Sequence, residues 1–325
     1  MMRLTLNKTI SLWVGACCIL FGGHAAAQSY PDRPMRIIVP NSAGGGTDAF
    51  ARIVAQKLGE AWGQTVVVDN KPGAQGNLGT ALGAKAVPDG YTLTLAYTSA
   101  FAVSPYIYKD AGFDPLKDFT AVAMGVTQPY LVVTQPASKF NTLKEMAAQA
   151  KAKPDSMTYA STSSQTELIG QLFMMLTDTR MVYIPYKSAT TAVVDLARGE
   201  VDVMYASLPS AIPFVQAGKL KGIALTGDKR VAALPDVPTA IEAGYQDFDA
   251  AGWYGIVAPT GTPSDIVNKL NKQINLILEM SDVKEALAAG GFETAPMSVQ
   301  AFADLIQRDY QRWGKVVKAA KEMRP

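Results

Sequence analysis

Short apolar runs alternate along the chain with longer stretches whose apolar residues recur every three or four positions. The short runs, rich in Val, Ile, Leu and Thr, predict strands at 35–39, 65–69, 92–96, 130–134, 157–160, 182–184, 203–205, 222–225 and 252–258. The amphipathic stretches predict helices at 48–62, 78–86, 143–152, 166–176, 189–198, 208–217, 264–280, 281–289 and 299–320. Proline and glycine mark the turns, as in Val87-Pro-Asp-Gly-Tyr91 and Ala258-Pro-Thr-Gly-Thr-Pro263. Strands alternating with helices predict an α/β architecture with largely parallel sheets. No internal repeat or low-complexity linker interrupts the pattern.

The junction Pro40-Asn-Ser-Ala-Gly-Gly-Gly-Thr-Asp48 carries the most chemistry. Three consecutive glycines let backbone N–H groups approach a ligand with no Cβ in the way. Thr47 or Asp48 can cap the helix start, whose N–H groups lack partners and whose dipole is positive. Such a turn is a ready anion site; the alternative is a tight strand-to-helix turn and nothing more. A phosphate loop needs Lys-Ser/Thr after its last glycine, and Thr47-Asp48 stands there instead. An acidic residue at that point disfavours a triphosphate and is compatible with a smaller acid such as a carboxylate.

Similar polar helix starts recur at Gly73-Ala-Gln-Gly-Asn77, Ala160-Ser-Thr-Ser-Ser-Gln-Thr166 and Tyr186-Lys-Ser-Ala-Thr-Thr191. Each alone is accounted for as a structural cap. Two early and two in mid-chain suggest two sheets facing each other across one cleft, because ligands of open α/β sheets sit at the carboxyl ends of the strands.

The N-terminus reads as an export signal. Arg3 and Lys8 precede an apolar run over 10–23, and Ala25-Ala-Ala27 offers a cleavage site before Gln28. Val14-Gly-Ala-Cys17 loosely matches a lipoprotein box, which would anchor Cys17, but the apolar run continues past it. Cleavage at Gln28 removes His24, Cys17 and Cys18, the only histidine and both cysteines. A chain without them has no Ser-His-Asp triad, no Cys nucleophile, no disulfide and no His or thiolate metal site. About 300 remaining residues suffice for a large core without staples. Of 30 basic residues, loss of Arg3 and Lys8 leaves 28 against 28 acidic ones. A balanced charge with no basic stripe argues against nucleic acid as a partner.

Further segments complete a pattern: Tyr30-Pro-Asp-Arg-Pro34, Val67-Val-Asp-Asn-Lys-Pro-Gly-Ala-Gln-Gly76, Pro88-Asp-Gly-Tyr-Thr-Leu93, Asp114-Pro-Leu-Lys-Asp-Phe119, Val182-Tyr-Ile-Pro-Tyr-Lys187, Leu234-Pro-Asp-Val-Pro-Thr239 and Trp253-Tyr-Gly-Ile-Val-Ala-Pro-Thr-Gly-Thr-Pro263. With the 40–48 junction, and in this order, they resemble the periplasmic substrate-binding proteins of tripartite tricarboxylate transporters, the Bug family. The resemblance implies a two-lobed, Venus-flytrap fold of the type II kind with the ligand cleft between lobes. It implies a signal peptide at 1–27, a first lobe of 28–128 plus 251–325, and a second lobe of 129–250, with crossings near 125–129 and 248–252. It also implies no cofactor, and a small carboxylate as ligand, held by backbone groups, hydroxyls and waters. Carried onto this sequence, the first-lobe contacts fall on Ser42, Ala43, Gly45, Thr47 and Asp48, with Gly76 and Asn77 beside them. Those of the second lobe fall on Ser161, Ser164, Gln165, Thr166, Lys187 and Ser188.

Departures from the family pattern bear on the ligand. Asn41 and Ser42 make the first loop more polar than in many relatives. Tyr205-Ala-Ser207 stands where relatives usually carry an Asp, which disfavours amino acids and favours a plain carboxylate. Tyr97, Phe101 and Tyr205 can add stackable surface or belong to the core, so an aromatic dicarboxylate of the terephthalate type is one lead. Lys187 pairs with a second carboxylate or is simply solvated. The expected partners are membrane transporter subunits and the expected receptor is a monomer. Two alternatives stand beside transport: a sensing receptor that reports to a sensor ectodomain, and an exported hydrolase or lyase using Asp48, Asp202 or Glu167 as acid or base.

Overall fold

In the computed structural model, which describes residues 30–186 and 188–322, the strands gather into two separate sheets. Both sheets lie in the unit that begins at Pro34. The first sheet runs in the order β11-β4-β10-β3-β1-β2. Its strands are β1 (Met35–Val39), β2 (Val66–Asn70), β3 (Thr92–Tyr97), β4 (Phe119–Gln128), β10 (Gly252–Pro259) and β11 (Glu293–Thr294). The second runs β7-β6-β8-β5-β9, from β5 (Tyr130–Thr134), β6 (Thr158–Ser161), β7 (Val182–Pro185), β8 (Val203–Ser207) and β9 (Lys221–Leu225).

The sheets are mixed rather than largely parallel. β1 pairs parallel with β2 and β3, and β6 parallel with β7 and β8. The strands that carry the chain between sheets, β4, β5 and β10, pair antiparallel with their neighbours. The reason is topological. A strand that enters from the other sheet has no crossover helix to bring it back in the parallel sense. The chain passes to the second sheet where β4 ends at Gln128 and β5 begins at Tyr130, and returns between β9 and β10.

The strand pattern explains why these runs read as continuously apolar. In β5, Tyr130 and Val132 face one core cluster while Leu131 and Val133 face another. In β8, Val203 and Tyr205 face the first cluster, and Met204 and Ala206 the second. A sheet covered on both faces leaves no polar alternation. The long strand β4 follows the same logic; its run of small and apolar residues shows no period, and it lies outside the predicted strands.

Helices follow the strands. In chain order they are α1 (Gly46–Trp62), α2 (Asn77–Ala84), α3 (Ser104–Ile107), α4 (Leu143–Ala152), α5 (Ser164–Thr177), α6 (Ala189–Arg198), α7 (Leu208–Gln216), α8 (Ser264–Glu279), α9 (Ser281–Ala289) and α10 (Val299–Glu322). A 3₁₀ turn (Ala74–Gly76) precedes α2, and a π-helix (Ser99–Val103) links β3 to α3. The buried stripe of α10 runs Phe302, Ile306, Asp309, Trp313, Val316 and Ala320, at helical spacing. Its early turns pack on the first sheet, with Phe302 edge-on to Trp253 at 5.5 Å. Its late turns, through Trp313, Val316 and Val317, join the cluster that holds Phe173, Tyr205 and Phe248. α10, in the segment expected to belong to the first lobe, thus also packs against residues of the second sheet.

Candidate functional site

A cavity of about 700 Å³ opens between the carboxyl ends of strands from both sheets. Three of the four polar helix starts reach it: the loop 41–47 after β1, Gln75 after β2, and Ser163 and Gln165 after β6. A fourth wall comes from the segment after β3, through Thr98, Ser99, Val103, Ser104 and Tyr108. Gln128, Tyr130, Trp253 and Tyr254 close it where the chain crosses between sheets. Among the described residues that line it, none carries a formal charge.

The glycine loop is shaped from behind. Helix α1 starts at Gly46 with Gly45 as its extended N-cap, and neither Thr47 nor Asp48 caps it. Asp48 instead turns back, 4% exposed, and its carboxylate accepts from the Gly44 N–H at 2.9 Å, Arg52 Nε at 2.9 Å and Asn70 Nδ2 at 3.0 Å. The Arg52 bond, helped by those of Gly44 and Asn70 against the opposing effect of burial, lowers its pKa to about 2. The charge is thus neutralised in place, and Asp48 holds the loop rather than facing the cavity. The N–H groups of the first turn of α1 have no acceptor within the helix. At Gly46 a Cβ would lie 2.6 Å from Cζ of Phe292, so only glycine lets the helix start sit this deep.

At the second helix start Gln75 lines the cavity, whereas Gly76 and Asn77 do not. Gly76 works one step removed. Its φ of +95° suits glycine, and a Cβ there would meet the Tyr97 hydroxyl at 2.0 Å. The hydroxyl instead donates to Gln75 O at 2.9 Å and accepts from Asn41 Nδ2 at 3.4 Å.

In the third start, Ser163 caps α5 in a reciprocal box with Thr166. The Ser161 hydroxyl bonds Ser163 O and Thr166 Oγ1, each at 2.8 Å. Ser161 and Thr166 therefore spend their hydroxyls building the turn and do not line the cavity. Ser164 is the first residue of α5. Gln165, with Ser163, is what this turn presents to the cavity. Gln165 is 6% exposed, its Oε1 accepts from Ser99 Oγ across the cavity at 3.3 Å, and its Nε2 has no partner.

At the fourth start Ser188 caps α6 through the Thr191 N–H, is exposed, and stays off the cavity wall. Lys187 lies outside the described residues. Tyr205 and Phe101 are fully buried in the core, because β8 and the π-helix turn these rings inward; Tyr205 packs against Tyr159 and Phe248. The structure thus brings Ser42, Ala43, Gly45, Thr47 and Gln165 together at the cavity and leaves Asp48, Gly76, Asn77, Ser161, Thr166, Ser188 and Tyr205 behind or beside it.

The wall after β3 and the crossing residues were not expected from sequence. The signal available for the first was Thr98-Ser99, small polar residues at the end of a strand, as in the other junctions. Tyr97 and Tyr254, the latter bonded to Gln128 Oε1 at 3.2 Å, keep their protons: burial raises both, Tyr254 to about 12. They offer neutral hydroxyls beside the unpaired helix N–H groups. Asp202 and Glu167 do not line the cavity, and Asp202 is committed to Thr158 at 2.8 and 2.9 Å.

Comparison with known proteins agrees with this geometry. The chain is 37% identical to Protein BugT of Bordetella pertussis over 96% of its length and 98% of that protein's. An R. palustris protein solved with adipate superposes with a TM-score of 0.71 at 31% identity, over 90% of this chain and 98% of that one. MatC from Rhodopseudomonas palustris with bound malate does so with a TM-score of 0.69 at 30% identity, over 89% and 100%. Residues 50–321 match the profile of the tripartite tricarboxylate transporter family receptor, and the chain belongs to that family of substrate-binding receptors.

Proposed function

We propose that this protein captures a small dicarboxylate between its lobes in the periplasm and hands it to a tripartite membrane transporter, without chemistry on the ligand. The observation that carries the reading is a cavity, free of charge among the described residues that line it, that converges helix N–H groups at Gly46 and Thr47 with the unpartnered amide of Gln165. Helix N–H dipoles and neutral donors hold a carboxylate by charge-assisted hydrogen bonds and add no counter-charge that would restrict the rest of the ligand. One carboxylate docks on the 42–47 loop, and the second meets Gln165 and Ser163 from the other lobe, with waters filling the remainder. Closure of the lobes over the ligand presents the form a membrane partner recognises.

The adipate and malate carried by the two structural relatives support the dicarboxylate class. Tyr97, Tyr108, Tyr130 and Tyr254 line the same cavity and favour a flat or apolar body, so aromatic dicarboxylates join the aliphatic ones as candidates. Among the described residues no carboxylate side chain lines the cavity, which weighs against an acid–base hydrolase there.

A thermal-shift screen of mono-, di- and tricarboxylates, amino acids and sugars tests the reading. A binder at ~100 times its Kd stabilises the fold by about 2.7 kcal/mol. The expected result is stabilisation confined to carboxylates, with the ligand recovered intact. Stabilisation by amino acids or sugars alone, or consumption of the ligand, overturns it.

A further inference from the structure

Behind the crossing strands lies a second cavity of about 420 Å³, and Trp253 lines both it and the front cavity. The rear cavity is as charged as the front one is neutral. Asp309 stands there on the buried stripe of α10, 2% exposed, where the helical spacing calls for an apolar residue. Its Oδ2 accepts from Trp253 Nε1 at 2.8 Å, and its Oδ1 faces Arg312 at 3.1 Å. Arg312 Nη1 in turn donates to the backbone carbonyl of Asp249. Asp249 and Trp253 flank the last residues of the connection 226–251 that leads from β9 back to β10, where the Ala250 N–H still donates to the Thr226 carbonyl beside β9. The Asp309 carboxylate on α10 holds the Trp253 flank directly and the Asp249 flank through Arg312. The Trp253 backbone N–H is also held, by Thr98 Oγ1 at 2.8 Å, and Thr98 lines the front cavity.

We infer that Asp309 is a positioning residue: its carboxylate fixes Trp253 between the two cavities and, through Arg312, braces the return crossing, so that protonating Asp309 slackens the crossing and loosens the lobes. That the brace serves ligand capture rests on the receptor reading above. The charged groups around it set the response. Arg308 and Arg312 face Asp309 from its own helix, and both favour its ionised form; burial outweighs them and raises its pKa. Asp249, across the brace, is raised by burial, with Asp309 and Asp228 adding to the rise and Arg312 opposing it. Glu293 on β11 is raised by burial, against the pull of Lys229. Asp309, Asp249 and Glu293 therefore take up protons at a higher pH than surface carboxylates. Among the described residues they do not converge on any group able to hold a metal ion.

The test uses the purified protein without ligand. The ¹⁵N-indole resonance of Trp253, assigned with Trp253→Phe, is followed from neutral pH into mild acid. Nitroxides at Val87→Cys and Val194→Cys, both exposed and one on each lobe, report the interlobe distance in a Cys17→Ser/Cys18→Ser background. In the wild type the resonance should move in one step, and the distance distribution should broaden over the same step. Asp309→Asn keeps an acceptor for the indole but cannot titrate. It should lose the step and be broad at both pH values, while Asp249→Asn, which keeps its backbone carbonyl, retains the step. A pH-invariant Trp253, a step that survives Asp309→Asn, or a distance distribution that ignores that variant overturns the inference. Neither readout needs a ligand, so a carboxylate screen without binders sinks the receptor reading and leaves this result standing or falling on its own data.

Discussion

The two cavities on either side of Trp253 are built from opposite materials. The front one is lined by glycines, hydroxyls, amides and tyrosines, with no formal charge among the described residues, and it leaves donors unspent at Gln165 and the α1 N-terminus. The rear one holds Lys229, Arg308 and Arg312 against Asp228, Asp249, Asp309 and Glu293. An anion is best received where dipoles are fixed in advance and no side-chain charge has to be displaced. A moving joint is best held by charges that find partners in one arrangement only. The same contrast exists within the front loop. The Asp48 carboxylate behind it is neutralised by Arg52 before any ligand arrives.

Substitutions can separate the two regions. The largest effect should come from Gly46→Val, whose Cβ enters the space of the Phe292 ring. Overpacking of about 3 kcal/mol should displace the helix start and weaken ligand binding roughly 100-fold, measured by calorimetric titration. Next, Asp309→Ala leaves the Trp253 indole and Arg312 without their shared acceptor. It should cost about 2–3 kcal/mol in denaturant unfolding, a larger stability loss than any front-cavity polar substitution. Gln165→Ala should do the reverse: affinity for a dicarboxylate falls roughly tenfold, about 1.5 kcal/mol, while the melting temperature of the free protein barely changes.

The smallest effect concerns pH. The folded pKa of Asp48 is depressed to about 2 from 3.8, so its contribution is present above the unfolded value and is lost as pH falls toward the folded one. Discounted for the exposed Arg52, that contribution is about 1 kcal/mol. Asp48→Asn should flatten the acid limb of the stability curve by that amount. An unchanged acid limb would mean that the carboxylate does not hold the loop.

Much of the fold was legible because local rules agree with the tertiary structure. The 35–39 strand, the glycine junction and the 143–152, 189–198 and 281–289 helices lie where periodicity and turn residues put them. β4 was not legible, since a strand buried on both faces and rich in small residues carries no alternation. The site was legible to the level of the loop but not of the atom. The sequence marks 41–48 and 161–166 as polar helix starts, yet which hydroxyls are spent inside the turn depends on capping geometry. Hence Ser161, Thr166 and Asp48 build the site, while Gln165 and the glycine loop face it. Tyr205 reads in sequence as either stackable surface or core, and β8 points it into the core, away from the cavity. The wall after β3 escaped notice because a π-helix has no simple periodic signature.

The central claim is that the neutral front cavity, and not the charged rear one, receives the ligand's carboxylate. The direct test is a crystal structure of the protein with the tightest carboxylate from the screen. One carboxylate should lie within hydrogen-bond distance of the Gly46 or Thr47 N–H, with Gln165 Nε2 turned to the far end of the ligand. A carboxylate seated instead against Arg308 and Arg312 behind Trp253 would contradict the account.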